Sequence, residues 1–221
     1  MIAAELVANT ILPLKPSDSV QKADNRMAEF CVTHLPIVQK HQFIGVISEE
    51  DIMQVTDTSV EVGAVKLSLM NAFVYEDQHV YDVIRAFYEQ KLSILPVLSS
   101  DMEYLGLVSQ QVLTESFAKI ASVAERGAVI VLEIGNRDNS LSHIAQIVES
   151  NNAQILSSYI SSIPDSTKLE ITLKINKVEI SHIVASFLRY DYTIKATYNF
   201  LDKDNGVKDR YDSLMNYLSF D

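Results

Sequence analysis

The chain of 221 residues has one cysteine, Cys31, no tryptophan, and few basic residues. A single cysteine excludes an internal disulfide and a thiolate metal cluster, and its apolar helical surroundings predict inert core packing. Lysine and arginine number 18 against 29 acidic residues, which gives a net charge of −11. This balance argues against nucleic acid and against an anionic membrane surface as partners, because both require basic patches.

Long hydrophobic runs are also missing. The longest apolar stretch, "GAVIVLEIG" at 127–135, is far shorter than the roughly 20 residues that a transmembrane helix needs. The N-terminus shows no basic start followed by an apolar stretch and a cleavage site. The five histidines lack metal-ligand spacing, and phosphate-loop and nucleophile-elbow motifs are absent. We therefore expect a soluble, cytoplasmic protein with no metal site.

What the chain does contain is an internal repeat. "THLPIVQKHQFIGVISEEDI" (Thr33–Ile52) aligns with "SILPVLSSDMEYLGLVSQQVL" (Ser93–Leu113), with one residue inserted in the turn. Apolar residues at helical spacing precede both copies, in 20–30 and 80–88. Each unit therefore predicts a helix, two strands joined by a turn, and a closing helix, with Ser48 and Ser109 as N-caps. We place the units at 1–60 and 61–122.

The remaining sequence predicts a different domain at 127–200, with strands and helices in the order βαββαβ. "KLEITLKI" (Lys168–Ile175) alternates strictly, which predicts a strand with one apolar face. This order is typical of a ferredoxin-like fold. In the tail, 201–221, Tyr211, Leu214, Met215 and Leu218 recur at helical spacing and predict a short amphipathic helix that docks on the body or on a partner chain.

The two repeats resemble a tandem CBS domain pair, and the stretch "EIGNRDNSLSHIAQIVESNNAQI" after them resembles the opening of an ACT domain. A CBS pair followed by an ACT domain is the arrangement of AcuB-like regulatory proteins. The resemblance implies an α+β protein with two βαββα units and a βαββαβ domain. It also implies a small-molecule sensor with no required cofactor, and not an enzyme.

In CBS pairs, a nucleotide typically lies in the cleft between the units. The resemblance implies a site for AMP, ADP, ATP or another adenosine compound, in which the serine and aspartate of the glycine-led motif reach the ribose or phosphate. The site residues that it implies here are Ser48, Asp51, Thr33, His34, Phe73, Val74, Ser93 and Ile94. The alternatives are that Asp51 only caps its helix and that His34 is a structural histidine.

A second site would contain Ser109, with Val112 at the position of Asp51, and walls from Thr33, His34, Pro13 and Leu14. Valine cannot accept a hydrogen bond, so ribose hydroxyls would lose a partner there at a cost of about 1–3 kcal/mol. We therefore expect one competent site and one degraded site.

ACT domains commonly bind amino acids near the loop after their first strand. The resemblance implies Asn136, Arg137, Asp138 and Asn139 as the contacts here, although Asn139 stands where the family usually has a glycine. The alternative is that Asp138 or Asn139 only caps the next helix.

Three functions follow from these patterns. The first is a regulatory sensor that acts on a partner protein and forms a homodimer. The second is a dimerising scaffold whose ligand sites have decayed, as Val112 and Asn139 suggest. The third, an enzyme, is disfavoured because no catalytic cluster is visible in the sequence.

Overall fold

A computed structural model of the protein describes residues 1–135, 140–164 and 166–199. The chain divides into two compact units, Met1–Phe117 and Ala118–Asp221. Each unit has its own cluster of buried apolar side chains. The predicted α+β class is confirmed, with paired repeats first and a four-stranded sheet after them.

The repeats contain four α-helices and five strands, and each repeat has the predicted order of a helix, two strands and a closing helix. They are α1 (Val20–Phe30), β1 (His34–Gln39), β2 (Gln42–Ser48), α2 (Glu49–Met53), β3 (Val74–Tyr75), α3 (Val80–Gln90), β4 (Ile94–Leu98), β5 (Tyr104–Ser109) and α4 (Gln110–Ile120).

The two repeats match in the residue-by-residue pairing of their strands. Strands β1 and β2 are antiparallel with a register shift after Ile37, and β4 and β5 are antiparallel with the same shift after Val97. Strand β3 runs parallel to β4 through Val74 and Val97, whereas the first repeat keeps only a single parallel bridge between Leu14 and Ile37. The opening strand of the first repeat is thus reduced to one bridge.

The helices α1 and α3 begin and end in the same way. Ser19 and His79 cap their N-termini, and Cys31 and Lys91 end them in the left-handed conformation, at φ 52° and 54°. Cys31 is exposed, so the prediction that it packs in the core is wrong. The physical reason is that the chain leaves the helix at this residue and turns away from the buried face. Phe30 and Tyr88, in the last turns of the two helices, are exposed as well.

The second unit has the βαββαβ order that the sequence predicts. Its elements are β6 (Ala128–Gly135), α5 (Leu141–Ser150), β7 (Ile155–Ser162), β8 (Lys168–Ile175), α6 (Ser181–Arg189) and β9 (Thr193–Asn199). The sheet order is β7-β8-β6-β9 with all neighbours antiparallel, which is a ferredoxin-like topology. The predicted apolar face of β8 is buried against α5 and α6 at Ile171, Leu173 and Ile175.

Two predictions concern residues outside the described ranges, the tail helix in 201–221 and the loop Asn136–Asn139. Helix α5 has Ser140 as its N-cap, since the Ser140 side chain accepts from the His143 amide, so the expectation of Asp138 or Asn139 in that role is wrong. The boundaries placed at 60 and 122 stay predictions. None of the helices in the described ranges is long and apolar enough to cross a bilayer.

Candidate functional site

Asp51 lies at the start of α2 and is 4% exposed. Its Oδ2 accepts from the Ser48 amide at 3.0 Å, and its own amide donates to Ser48 Oγ at 3.1 Å. This reciprocal capping box follows from the local sequence, a serine at the N-cap and an acid three residues later. In the second repeat the Val112 amide donates to Ser109 Oγ at 3.3 Å, but valine cannot return the bond. The predicted caps Ser48 and Ser109 are therefore confirmed.

A serine that sequence reasoning missed completes the surroundings of Asp51. Ser68 Oγ donates to Asp51 Oδ2 at 3.2 Å. The segment around it lies along β2, because the Val46 amide donates to the Leu69 carbonyl at 3.0 Å. The alternation Leu67–Ser68–Leu69 signals an extended segment, but not its partner. Both side-chain hydrogen bonds described for this carboxylate end on Oδ2, and Oδ1 accepts neither of them.

Thr33, His34 and Ser93 form a second group, which joins the two repeats where β1 and β4 begin. The Thr33 amide donates to Ser93 Oγ at 3.0 Å. His34 Nδ1 lies 2.9 Å from Thr33 Oγ1 and 3.1 Å from Ser93 Oγ, and it accepts from the Ser93 amide at 3.3 Å. The register places His34 opposite Ser48, so this group adjoins the Asp51 cap.

The environment of His34 favours the neutral ring. Burial lowers the pKa of His34, and the nearby charges of Asp51, Glu50 and Glu49 raise it only in part. A backbone amide that donates to Nδ1 also requires this nitrogen to be unprotonated, which leaves the proton on Nε2. These contacts suit a neutral ring whose one donor is Nε2.

The other residues predicted for the first site lie on the second repeat. Val74 and Ile94 are buried, and they pair with Val97 and Ser109. Phe73 is half-buried, and its ring packs edge-on against Phe43 at 5.7 Å and Tyr75 at 5.5 Å. The structure thus brings Ser48, Asp51, Thr33, His34 and Ser93 into one contiguous group. Phe73 contacts Phe43 and Tyr75, and Val74 pairs with Val97, so their described contacts are with residues outside this group.

The equivalent position in the second repeat is more apolar. Val112 packs against the apolar core, so an apolar side chain stands where the first repeat has the Asp51 carboxylate. The Ala8 amide donates to the Leu107 carbonyl, so the segment before residue 10 lies on β5 as Leu69 lies on β2. Pro13 and Leu14, the predicted walls, run beside β1, where the Leu14 amide donates to the Pro36 carbonyl at 2.8 Å.

The second unit contains a cavity of about 330 Å³ that the sequence did not reveal. His143 Nδ1 lies 2.9 Å from the Tyr192 hydroxyl, and the Tyr190 ring stands edge-on to His143 at 5.0 Å. Lys168 forms an ion pair with Glu133 at its rim. The lining residues are Glu133, Ile134, Gly135, His143, Lys168, Tyr190, Asp191, Tyr192 and Thr193. Asn136, Arg137, Asp138 and Asn139, the predicted amino-acid contacts, lie outside the described ranges, but Gly135 directly before them lines this cavity.

Curated proteins are similar to this chain over part of its length. The chain is 18% identical over 120 residues to homoserine O-acetyltransferase of Methanosarcina acetivorans, and this match covers 54% of the chain. The chain spans 22% of the length of the curated relatives it matches.

Two solved structures are also similar. A CBS domain pair/ACT domain protein from Thermotoga maritima is 24% identical, with a TM-score of 0.49, over 53% of this chain and 96% of that one. CBSX2 in complex with AMP is 22% identical, with a TM-score of 0.46, over 54% of this chain and 97% of that one.

The family model for the CBS domain matches this chain twice, at residues 3–57 and 65–119. The two matches coincide with the repeats seen in the strand registers and helix caps. These two segments therefore belong to the CBS domain family, and the chain carries them as a tandem pair.

Proposed function

We propose that this protein is a non-enzymatic regulatory sensor that binds an adenosine compound beside Asp51, in the cleft of its CBS pair. The observation that carries the proposal is a buried carboxylate whose described hydrogen bonds all end on one oxygen. A carboxylate is a strong acceptor, and a ribose has two adjacent hydroxyls to donate. Capping and ligand binding are compatible roles because Asp51 Oδ2 serves the first and Oδ1 is left for the second.

The charges around the group favour a ligand with little phosphate. Glu49 and Glu50 are exposed immediately before Asp51, and burial lowers the pKa of His34, which disfavours its cationic form. Helix α2 has only five residues, so its N-terminus is too weak a dipole to compensate for these acids. We expect adenosine or AMP to bind more tightly than ADP or ATP.

Isothermal titration of the full chain with adenosine, AMP, ADP and ATP tests this proposal. Asp51→Asn keeps an oxygen that can accept from the Ser48 amide but removes the negative charge offered to the ribose. We expect this variant to bind the preferred ligand at least about tenfold more weakly, in line with the loss of one charge-assisted hydrogen bond. Glu50→Gln, an equal charge change at the exposed neighbouring residue, is the matched control and should leave affinity within about twofold.

Equal affinities for wild type and Asp51→Asn would remove Asp51 from the site. Binding of none of the four compounds by wild type would favour the scaffold function, in which the CBS pair serves only assembly. A homodimer is part of the proposal in either case. Light scattering of the purified chain measures the mass of the assembly directly.

A second ligand site is favoured by the cavity in the C-terminal unit. We propose that this ACT-like unit takes a free amino acid there, so that the whole chain has the AcuB-like arrangement. Lys168 can hold a carboxylate, Glu133 and Asp191 can hold an ammonium group, and Tyr190 with His143 offers an aromatic wall. A volume of about 330 Å³ accommodates a ligand of this size.

A thermal-shift screen of the twenty amino acids tests the second site. Lys168→Met should abolish any stabilisation by the amino acid that binds, whereas Lys91→Met, an exposed lysine on the other unit, should not. A shift that persists in Lys168→Met would place the amino acid elsewhere. Regulation further requires that the ligand bind one arrangement of the protein better than another, so its partner protein should bind differently with and without ligand.

A further inference from the structure

Ser68 is an exposed serine that donates to a buried carboxylate. Its hydroxyl oxygen lies 3.2 Å from Asp51 Oδ2, and the two residues are 17 positions apart in the sequence. Asp51 is only 4% exposed, whereas Ser68 is open to solvent. An exposed hydroxyl can make its hydrogen bonds with water, so little of the stability of the fold depends on this contact. The contact therefore matters for the carboxylate rather than for the serine.

The chain around Ser68 is held in place on both sides. The Leu69 carbonyl accepts from the Val46 amide of β2 at 3.0 Å. On the other side, Leu67 packs against the apolar core, and a Cβ placed on Gly45 would lie 2.8 Å from the Leu67 Cδ1 atom. Both contacts are with β2, the strand that leads directly into α2. Ser68 is therefore fixed relative to the start of α2.

Two donors from different segments restrain the orientation of the Asp51 carboxylate. The Ser48 amide donates to Oδ2 at 3.0 Å from within the helix start, and Ser68 Oγ donates to the same oxygen from outside it. The torsion that rotates a carboxylate about its Cβ–Cγ bond has broad minima, so one hydrogen bond alone restrains it weakly. A second donor narrows this rotation and with it the direction in which Oδ1 points. A binding group needs support of this kind from its neighbours.

The second repeat lacks the hydroxyl as well as the carboxylate. The bridge that corresponds to the one beside Ser68 joins Leu107 to Ala8. Neither Val7 nor Ala8 carries a hydroxyl, and Val7 packs against the apolar core, as Val112 does. One repeat therefore has both groups at this place and the other has neither, as expected of two groups that act as a pair.

We propose that Ser68 is a positioning residue, which orients the Asp51 carboxylate toward a ribose through its hydroxyl and does not itself contact the ligand. This inference rests on the proposed ligand site beside Asp51. It makes the pair of Ser68 and Asp51, rather than Asp51 alone, the determinant of ligand affinity in the first repeat. A carboxylate that is already oriented binds a pair of hydroxyls more tightly than one that must first be immobilised.

Titration of the full chain with adenosine and with AMP tests the proposal. Ser68→Ala should weaken binding of the tighter of the two compounds about threefold to tenfold, the range expected for one hydrogen bond. Ser68→Thr keeps a hydroxyl at the same place and should stay within about twofold of wild type. The matched control is Ser59→Ala, because Ser59 Oγ donates to the exposed Asp57 in the same way, and this change should leave affinity unaltered.

A double-mutant cycle separates positioning from direct contact. Asp51→Ala leaves Ser68 no carboxylate to orient, so adding Ser68→Ala to it should change affinity by less than about twofold. A cycle in which the two effects simply add overturns the proposal, because it means that Ser68 acts on the ligand independently of Asp51. Urea denaturation of Ser68→Ala should give the wild-type midpoint. A lowered midpoint with unchanged affinity overturns the proposal in favour of a purely structural contact.

The outcomes also separate this role from the proposed function. Binding by wild type together with unchanged affinity in Ser68→Ala overturns the role of Ser68 and leaves the ligand site at Asp51 intact. Binding of neither compound by wild type overturns the ligand site, and the role of Ser68 falls with it.

Discussion

Asp51 and Val112 occupy equivalent positions in the two repeats, but only the side chain of Asp51 can accept hydrogen bonds. The carboxylate completes a reciprocal cap with Ser48 and accepts from Ser68. The valine leaves only the one-sided cap by Ser109 and packs against the core instead. A single residue therefore separates a polar helix start in the first repeat from an apolar one in the second.

His34 predicts how stability depends on pH. Burial lowers the folded-state pKa of His34 below the reference value of 6.5, so the unfolded chain binds more protons between these two values. The contribution of His34 is therefore fully present above about pH 6.5 and is lost as the pH falls through that window toward the folded-state pKa. Urea denaturation at about pH 7.5 and about pH 5.5 should show a lower free energy of unfolding at the acidic pH.

The variant His34→Asn isolates this effect, since an asparagine oxygen can replace Nδ1 as the acceptor of the Ser93 amide but does not titrate. We expect a smaller difference between the two pH values in this variant. His182→Asn, at an exposed histidine of α6, is the control and should keep the wild-type difference. An undiminished pH dependence in His34→Asn would show that other groups cause it.

At the scale of elements, glycines mark the places where two segments of backbone approach each other. Gly127 precedes β6 with φ +159°, and a Cβ on it would lie 1.9 Å from the Ile175 carbonyl oxygen of β8. Gly45 of β2 is less constrained, since its Cβ would meet the end of the Leu67 side chain at 2.8 Å. A backbone oxygen held in a sheet cannot move aside, whereas a leucine side chain can rotate.

The substitution Gly127→Ala is therefore expected to cost about 3 kcal/mol or more of unfolding free energy, because strain and a backbone clash add together. Gly45→Ala is expected to cost only about 1 kcal/mol. Chemical denaturation of both variants, followed by far-ultraviolet circular dichroism, measures the difference. Equal losses in the two variants would mean that β6 and β8 separate easily at this end of the two strands.

At the scale of the whole molecule, the protein has two apolar cores that are built from separate stretches of chain. Leu95 is fully buried in the cluster of the CBS pair, and Phe187 is fully buried in the cluster of the C-terminal unit. Cooperativity in unfolding follows from shared packing, so each core defines its own unfolding unit.

Calorimetry of the full chain should therefore resolve two transitions. Leu95→Ala should lower one of them, with a loss of about 2–5 kcal/mol, and Phe187→Ala should lower the other by about 3–5 kcal/mol. Each variant serves as the control for the other. A single transition that both substitutions lower equally would show that the two units unfold as one.

Much of the fold was predictable because its determinants are local in the sequence. The caps Ser19, Ser48, His79 and Ser109 act on amides two or three residues away. The alternation in Lys168–Ile175 directly reports which face of a strand is buried. The candidate site was predictable only in part, since Ser48 and Asp51 bond within their own helix start while Phe73 and Val74 have partners that no local pattern names.

The sequence by itself determined the duplication, the order of elements in both units and the asymmetry between Asp51 and Val112, because periodicity, capping and residue identity act over a few neighbouring residues. Only the tertiary structure decided that Ser68 bonds Asp51 across 17 residues, that Ser93 meets His34 across 59, and that His143 meets Tyr192 across 49. It also decided that Cys31 is exposed. These contacts depend on how segments that are far apart in the sequence pack together. The spacing of side chains along the chain does not report which distant segments will meet.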